Sequence, residues 1–316
     1  MLSARLGHDP LLTQAAGGNT SIKLDGVMWV KASGLWLAAA AERPSFVPID
    51  LATGQQHATG DAALDRLRPS IETSMHAVIP QAVVLHLHAV ATIAWAVQQD
   101  ARALVAEKLD GLAWAFVDYV RPGLPLCHAI EAAIAERQAD VFIMGNHGLT
   151  VAAADCASAL ALLEDVERRL AIAPRSLPAV NVDRLALAPG YRPPRDARCH
   201  RLAATPDLSA LAVQGSLYPD HAVFLGRAIA MASGDRVDAR KEPPLVLIVP
   251  GQGVLVSTDI SEGAEAMLLA LTLVLERLPP QAPLVWLPHA EVDALSNWEA
   301  ERYRRSLDAA RAATTA

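Results

Sequence analysis

Apolar residues in the first half of the chain come in short runs closed by turn-forming residues. Residues 82–88 (Ala-Val-Val-Leu-His-Leu-His), 113–119 and 141–145 (Val-Phe-Ile-Met-Gly) are such runs, and short, well-buried strands read this way. Residues 26–31 (Gly-Val-Met-Trp-Val-Lys) make a further strand, between the loop Gly17-Gly18-Asn19-Thr20-Ser21 and the turn Ala32-Ser33-Gly34. Helices are predicted over 89–98, 100–109, 126–137 and 155–171. A shorter one over 71–78 is opened by Pro69 and capped by Ser70, with Glu72 in its first turn. Asn146-His147-Gly148 reads as a loop after a buried strand. Strands alternating with helices place this part in the α/β or α+β class.

From residue 174 the pattern changes. Pro174, Pro178, Pro189, Pro193, Pro194 and Pro206 follow one another with arginines between them. Proline continues neither a helix nor a central strand, so a linker or a strap over the surface is predicted over 174–205. It separates a domain at 1–173 from a smaller α/β domain at 206–316. Strands at 245–249 and 254–257 flank the turn Pro250-Gly251-Gln252-Gly253, and helices cover 261–278 and 289–312.

Composition narrows the classes of function. The 316 residues are 52% hydrophobic and 19% charged, which a globular chain has and a disordered one lacks. A net charge of −7 with no basic stripe argues against nucleic acid as a partner. The apolar run at 267–275 is far too short to span a membrane. Cys127, Cys156 and Cys199 are scattered and odd in number, and the first residues are not a signal peptide, so a cytoplasmic location is expected.

The chemistry concentrates at one strand end. His86 and His88 are two residues apart, so on a strand both imidazoles point the same way, while Val83, Leu85 and Leu87 face the core. Two imidazoles side by side suit one metal ion, and a catalytic zinc needs a third protein ligand plus an open position. His147, in its glycine-flanked loop, is one candidate. His76 is another, four residues after Glu72 on the same helical face. Glu72, near a helix start, is the natural acid/base group beside a Lewis acid. The loops at 17–21 and 32–34 offer backbone N–H groups, hydroxyls and an amide for an anion, with Lys23 and Lys31 close by in sequence. Nothing carries a dinucleotide signature.

The motifs GGNTS, KASG, RPSIETSMH, VVLHLH, DYVRPG and GNHGL occur in one order. Over roughly residues 1–172 this order resembles the class II aldolase/adducin family. The resemblance implies a three-layer αβα fold around a central sheet and one zinc ion per chain on His86, His88 and His147. It assigns proton transfer to Glu72 and service of the substrate oxygen to Tyr119. Asn19, Ser21, Ser33, Gly34 and Ser70 match positions around the substrate phosphate of the aldolases. It further implies a small sugar-like substrate and a homo-oligomer, with a tetramer favoured. The expected function is a lyase that makes or breaks a C–C bond through an enediolate. Epimerisation, dehydration or decarboxylation on the same scaffold is the alternative, and a non-enzymatic adducin-like role is a further one. Ile71 stands where the sugar-phosphate aldolases often carry a second serine, which removes one hydroxyl from a phosphate site. The segments Tyr218–Gly226 and Asn297–Glu301 resemble the part that follows the aldolase domain in fused aldolase/dehydrogenase proteins.

Overall fold

The computed structural model describes residues 1–232 and 243–315. The chain divides into two compact units, Met1–Ala171 and Ile172–Ala316.

The first unit runs α1 (Leu2–Gly7), β1 (Asn19–Leu24), β2 (Val27–Lys31), β3 (Phe46–Asp50), α2 (Ala62–Asp65), α3 (Thr73–Val78), β4 (Val83–Leu87), α4 (Val90–Ala96), α5 (Ala101–Lys108), β5 (Trp114–Val117), α6 (Leu124–Glu136), β6 (Val141–Met144), β7 (Gly148–Ala153) and α7 (Cys156–Leu170). Its seven strands form one sheet in the order β3-β2-β1-β4-β7-β6-β5. Only β5 and β6 run parallel; the other neighbours are antiparallel.

Alternation along the strands builds a core on each face. Val83, Leu85, Leu87, Leu149 and Val151 pack with Leu163, Val166 and Leu170 of α7 and Val105 of α5. Val84, Phe142 and Met144 face the other way, against Met75 of α3 and Leu126 and Ile130 of α6. Helices thus cover both faces, as expected for a three-layer domain. The α7 helix begins where Asp155 accepts from the backbone N–H groups of Ala157 and Ser158, both at 2.9 Å.

Both rims of this sheet are occupied. At β3, Pro48 sits within the edge strand, and His57 N donates to its carbonyl at 2.9 Å. At β5 the outward carbonyls of Trp114 and Phe116 accept from Arg137 (3.2 Å) and Arg102 (3.4 Å). Arg102 also stacks on the Phe116 ring, 4.9 Å from its centroid.

Three elements differ from the sequence reading. Asn19-Thr20-Ser21 opens β1 rather than lying in a loop. Glu72 stands at the N-cap position of α3, one residue before the helix, not in its first turn. Residues 148–153 form β7, buried from Gly148 to Ala152, and a strand buried on both faces shows no apolar–polar alternation.

The second unit contains β8 (Tyr191–Arg192), α8 (Pro206–Gln214), α9 (Pro219–Phe224), β9 (Ile229–Met231), β10 (Val246–Val249), β11 (Gly253–Ser257), α10 (Glu262–Leu275), α11 (His289–Asn297) and α12 (Glu299–Thr315). Its sheet order is β8-β11-β10-β9. The apolar α10 touches α8, α9 and α12. Among these elements, Arg304 is buried between Asp220 (3.0 Å) and Glu301 (2.9 Å).

The 174–205 stretch is not a free linker. Tyr191 and Arg192 pair with Ser257 and Val256 of β11, and Cys199 and Leu202 are fully buried in a 3-10 helix over Ala197–Ala203. Prolines 189, 193 and 194 bracket a two-residue strand at the sheet edge, the one place in a sheet that tolerates them. Part of the expected 206–316 domain, residues 233–242, lies outside the described residues.

His221 in α9 is fully buried, and its Nδ1 accepts from Leu217 N at 3.2 Å. Burial pushes its pKa down to about 3. The unfolded chain therefore binds a proton near pH 6.5 that the folded chain refuses. The neutral ring's contribution is complete above that pH and falls as the pH drops toward 3, by up to about 1.4 kcal/mol per pH unit. Unfolding titrations of His221→Asn between pH 7 and pH 4 should show a shallower loss of stability than the parent.

Candidate metal centre

The register of β4 assembles the site. Antiparallel to both neighbours, it sets His86 opposite Asn19 of β1 and opposite Thr150 of β7. His88 follows the end of β4 directly. The β6–β7 hairpin closes with Met144 paired to Gly148, so its turn is Gly145-Asn146-His147. Asn146 takes the left-handed conformation (φ 51°), which asparagine tolerates better than most residues. Gly148 lies so close to β4 that a Cβ there would stand 2.5 Å from the Leu87 carbonyl oxygen. That close approach brings His147 to the two histidines of the strand.

The three rings are buried, with centroids 5.1 Å (His86–His88), 5.0 Å (His86–His147) and 5.3 Å (His88–His147) apart. One nitrogen from each lies within 4.8 Å of the others. His86 Nδ1 is 3.1 Å from both Leu149 O and Thr150 Oγ1. A carbonyl only accepts, so Nδ1 carries the proton and Nε2 the lone pair. His86 Nε2 makes no hydrogen bond and faces Glu72 Oε2 at 3.3 Å. Glu72 Oε1 stands 3.3 Å from His147 Nε2.

Two electron-rich atoms facing each other away from water repel unless a cation lies between them. Burial drives the pKa of His86 well below its ordinary value, which disfavours a proton in that role. Burial also works against a charge on Glu72, but positive charge among His86 and His147 outweighs it and holds the carboxyl well below the usual range, and a bound cation would supply that charge with the rings neutral. Three imidazole nitrogens around a buried space, beside an ionised carboxylate, fit a metal ion with a position left open.

His76 is not a fourth histidine of this cluster. Its Nδ1 meets Ser21 Oγ at 2.7 Å and its Nε2 meets Asn19 Oδ1, so both ring nitrogens are engaged elsewhere. Asn19 in turn donates from Nδ2 to Glu72 Oε2 at 2.8 Å.

The loops expected to hold an anion converge around Lys31. Its buried Nζ donates to Ala16 O and Gly18 O, both at 2.8 Å. Ala32 bridges to Pro69, Ser33 N donates to Arg68 O (2.8 Å), and Ser70 N donates to Lys31 O (3.2 Å). Gly18, at φ 64°, runs against β4, where a Cβ would come 2.9 Å from His86 O. Ser33 and Ser70 therefore gather at the end of β2, and the loop that Lys31 ties down leads into β1.

The other residues expected to contact an anion make hydrogen bonds within the protein. Thr20 alternates to the opposite face from Asn19 and Ser21, and its hydroxyl bonds to Ser3 Oγ at 2.8 Å. Lys23 donates to the carbonyls of Ile79 and Gln81, and burial lowers its pKa to about 8. The Lys31 contacts moor the loop backbone. The Asn19 amide is held by Glu72 and His76. Tyr119 lies two residues past β5, where Gly145 N bonds to Val117 O at 2.8 Å. Thr150, which bonds to His86, was missed, because only the β4–β7 register reveals that pairing.

A buried three-histidine cluster flanked by a carboxylate, on a sheet covered by helices, makes a candidate metal site on an α/β domain. The model of the Class II Aldolase and Adducin N-terminal domain matches residues 3–173, and the chain belongs to that family. A Bacillus subtilis (strain 168) protein named uncharacterized oxidoreductase YuxG is 32% identical over 168 residues, covering 46% of this chain and 24% of that protein. The chain thus spans about a quarter of that relative's length. The N-terminal class II aldolase domain of a conserved protein from Thermoplasma acidophilum is 24% identical, with a TM-score of 0.44, covering 54% of this chain and 88% of that one. L-fuculose-1-phosphate aldolase from Thermus thermophilus is 17% identical, with a TM-score of 0.38 and coverage of 54% and 90%.

Gly148→Ala should force β7 away from Leu87 and carry His147 with it. The expected cost is about 1–3 kcal/mol of stability, as for other overpacked sites, together with weaker metal retention. Denaturant unfolding and metal analysis after dialysis check both effects.

Proposed function

We propose that the chain is a zinc-dependent lyase of the class II aldolase type, acting on a sugar phosphate, ketose or sugar acid. The observation that carries this reading is Glu72, whose two oxygens each face a histidine Nε2 at 3.3 Å. His86, His88 and His147 would hold one zinc ion per chain, which supplies Lewis-acid polarisation of a carbonyl. Glu72, ionised and fixed by Asn19, removes or returns a proton on the substrate beside that carbonyl. Ser33, Gly34 and Ser70 form the end of the pocket that holds the substrate's anionic group. Tyr119, supplied within a homo-oligomer, delivers a proton to the substrate oxygen. The three free cysteines suit a reducing compartment, the cytoplasm. No helix of the described residues is long and apolar enough to cross a membrane.

A second reading keeps these roles and changes the reaction to epimerisation, dehydration or decarboxylation. Its support is the poverty of the anion pocket. Ile71 replaces a hydroxyl, and Lys23 and Lys31 are committed to backbone carbonyls. A screen of ketose phosphates against unphosphorylated keto acids, scored for aldol cleavage, separates the two readings.

Glu72→Gln keeps the shape and loses the base. On the substrate found by that screen, turnover should fall by about 10²–10⁴-fold with zinc content unchanged. Wild-type turnover in a zinc-loaded E72Q variant would remove Glu72 from the mechanism. Light scattering at micromolar concentration should report a tetramer, and Tyr119→Phe should lower kcat without dissociating it. A monomer contradicts the assembly on which the Tyr119 role depends.

A further inference from the structure

We infer that His76 is a positioning residue that fixes the Glu72 carboxylate through Asn19. The inference rests on reading Glu72 as the proton-transfer group.

Its basis is a one-way chain of hydrogen bonds. Glu72 Oε2 can only accept, so the Asn19 atom 2.8 Å away is the amide nitrogen, donating. Asn19 Oδ1 is then an acceptor, and the His76 Nε2 facing it carries a proton. A neutral imidazole has one proton, so His76 Nδ1 accepts from the Ser21 hydroxyl at 2.7 Å. Every donor in the chain points toward Glu72. Ser21, His76, Asn19 and Glu72 are all at least nine-tenths buried, so water does not compete for these bonds.

The backbone makes the clamp rigid. Asn19 and Ser21 are alternate residues of β1 and share a face, so they take the two nitrogens of one imidazole between them. Glu72 and His76 are one helical turn apart, and His76 N donates to Glu72 O at 3.2 Å. The chain closes a ring from the strand to the head of α3 and back. Without His76 the Asn19 amide has no partner to define which end faces Glu72. Turned over, its oxygen would oppose the carboxylate. With His76 present, Glu72 Oε2 is held by a donor while Oε1 faces His147. Burial lowers the pKa of His76 to about 3, in keeping with a ring that stays neutral.

Nitrogen-15 spectra of histidine-labelled, metal-loaded full-length protein test the chain directly. His76 should show a protonated Nε2 and an unprotonated Nδ1, unchanged from pH 5.5 to pH 8. A protonated Nδ1, or a ring that titrates in that range, overturns the inference without any variant being needed. His76→Phe supplies the functional arm. It should lower kcat about 10- to 100-fold, the scale of a misplaced reacting group, with KM and zinc content near the parent values. Added to E72Q, it should cost nothing more. Losses that multiply in H76F/E72Q, or H76F turnover equal to the parent while E72Q is impaired, defeat the positioning role alone. E72Q turning over normally defeats the reading of Glu72 beneath it. Where H76F does not fold, Ser21→Ala removes the far end of the chain, and the His76 tautomer and kcat are read in that variant. An unchanged kcat there also counts against the inference.

Discussion

The antiparallel pairing of β4 with both β1 and β7 is the constraint on which the rest of the first unit depends. It gives His86 a partner on each side: Asn19 at the base of the Glu72 support, and Thr150 with Leu149 O at its own Nδ1. Strand side chains alternate with a period of two, so a slip of one residue would turn His86 into the core packed under α7 and put a leucine at the site. The apolar set Val83, Leu85 and Leu87 forbids that slip. The same burial that stabilises the sheet therefore fixes the tautomer and direction of a nitrogen in the candidate metal site.

The site formed in this way is electrostatically incomplete by itself. A carboxylate and imidazole lone pairs meet out of water, and the fold spends other contacts to keep them there. The Lys31 ammonium ties down the loop before β1, the Asn19 amide holds one carboxylate oxygen, and His76 occupies the far side. A cation bound between the histidines relieves the repulsion, so its binding free energy adds to the stability of the folded unit.

Much of this was legible in the amino-acid order, for identifiable reasons. The His86/His88 pair could be read because a strand's period puts both rings on one face, and the helices at 126–137 and 155–171 because they are long. The loops were harder. Gly17–Ser21 looks like a turn by composition, yet residues 19–21 lie on a strand, with Asn19 and Ser21 facing a polar site. That strand alternation sends Thr20 to the wrong side for a ligand. The roles of Lys23, Lys31 and His76 depend on partners distant in sequence, which spacing along the chain does not encode. The proline-rich stretch hid its short strand because an edge strand tolerates the residues that exclude a central one.

The arginines at β5 and the proline and loop at β3 bear on the molecule's colloidal behaviour. A bare sheet rim is a template on which another chain can lay down a strand, the first step toward fibrillar aggregates. Here the incoming strand would have to displace two guanidinium groups from the Trp114 and Phe116 carbonyls and detach one of them from an aromatic ring. At the far rim it would meet a residue with no N–H to offer. Both rims of a seven-stranded sheet are thus guarded against an added strand.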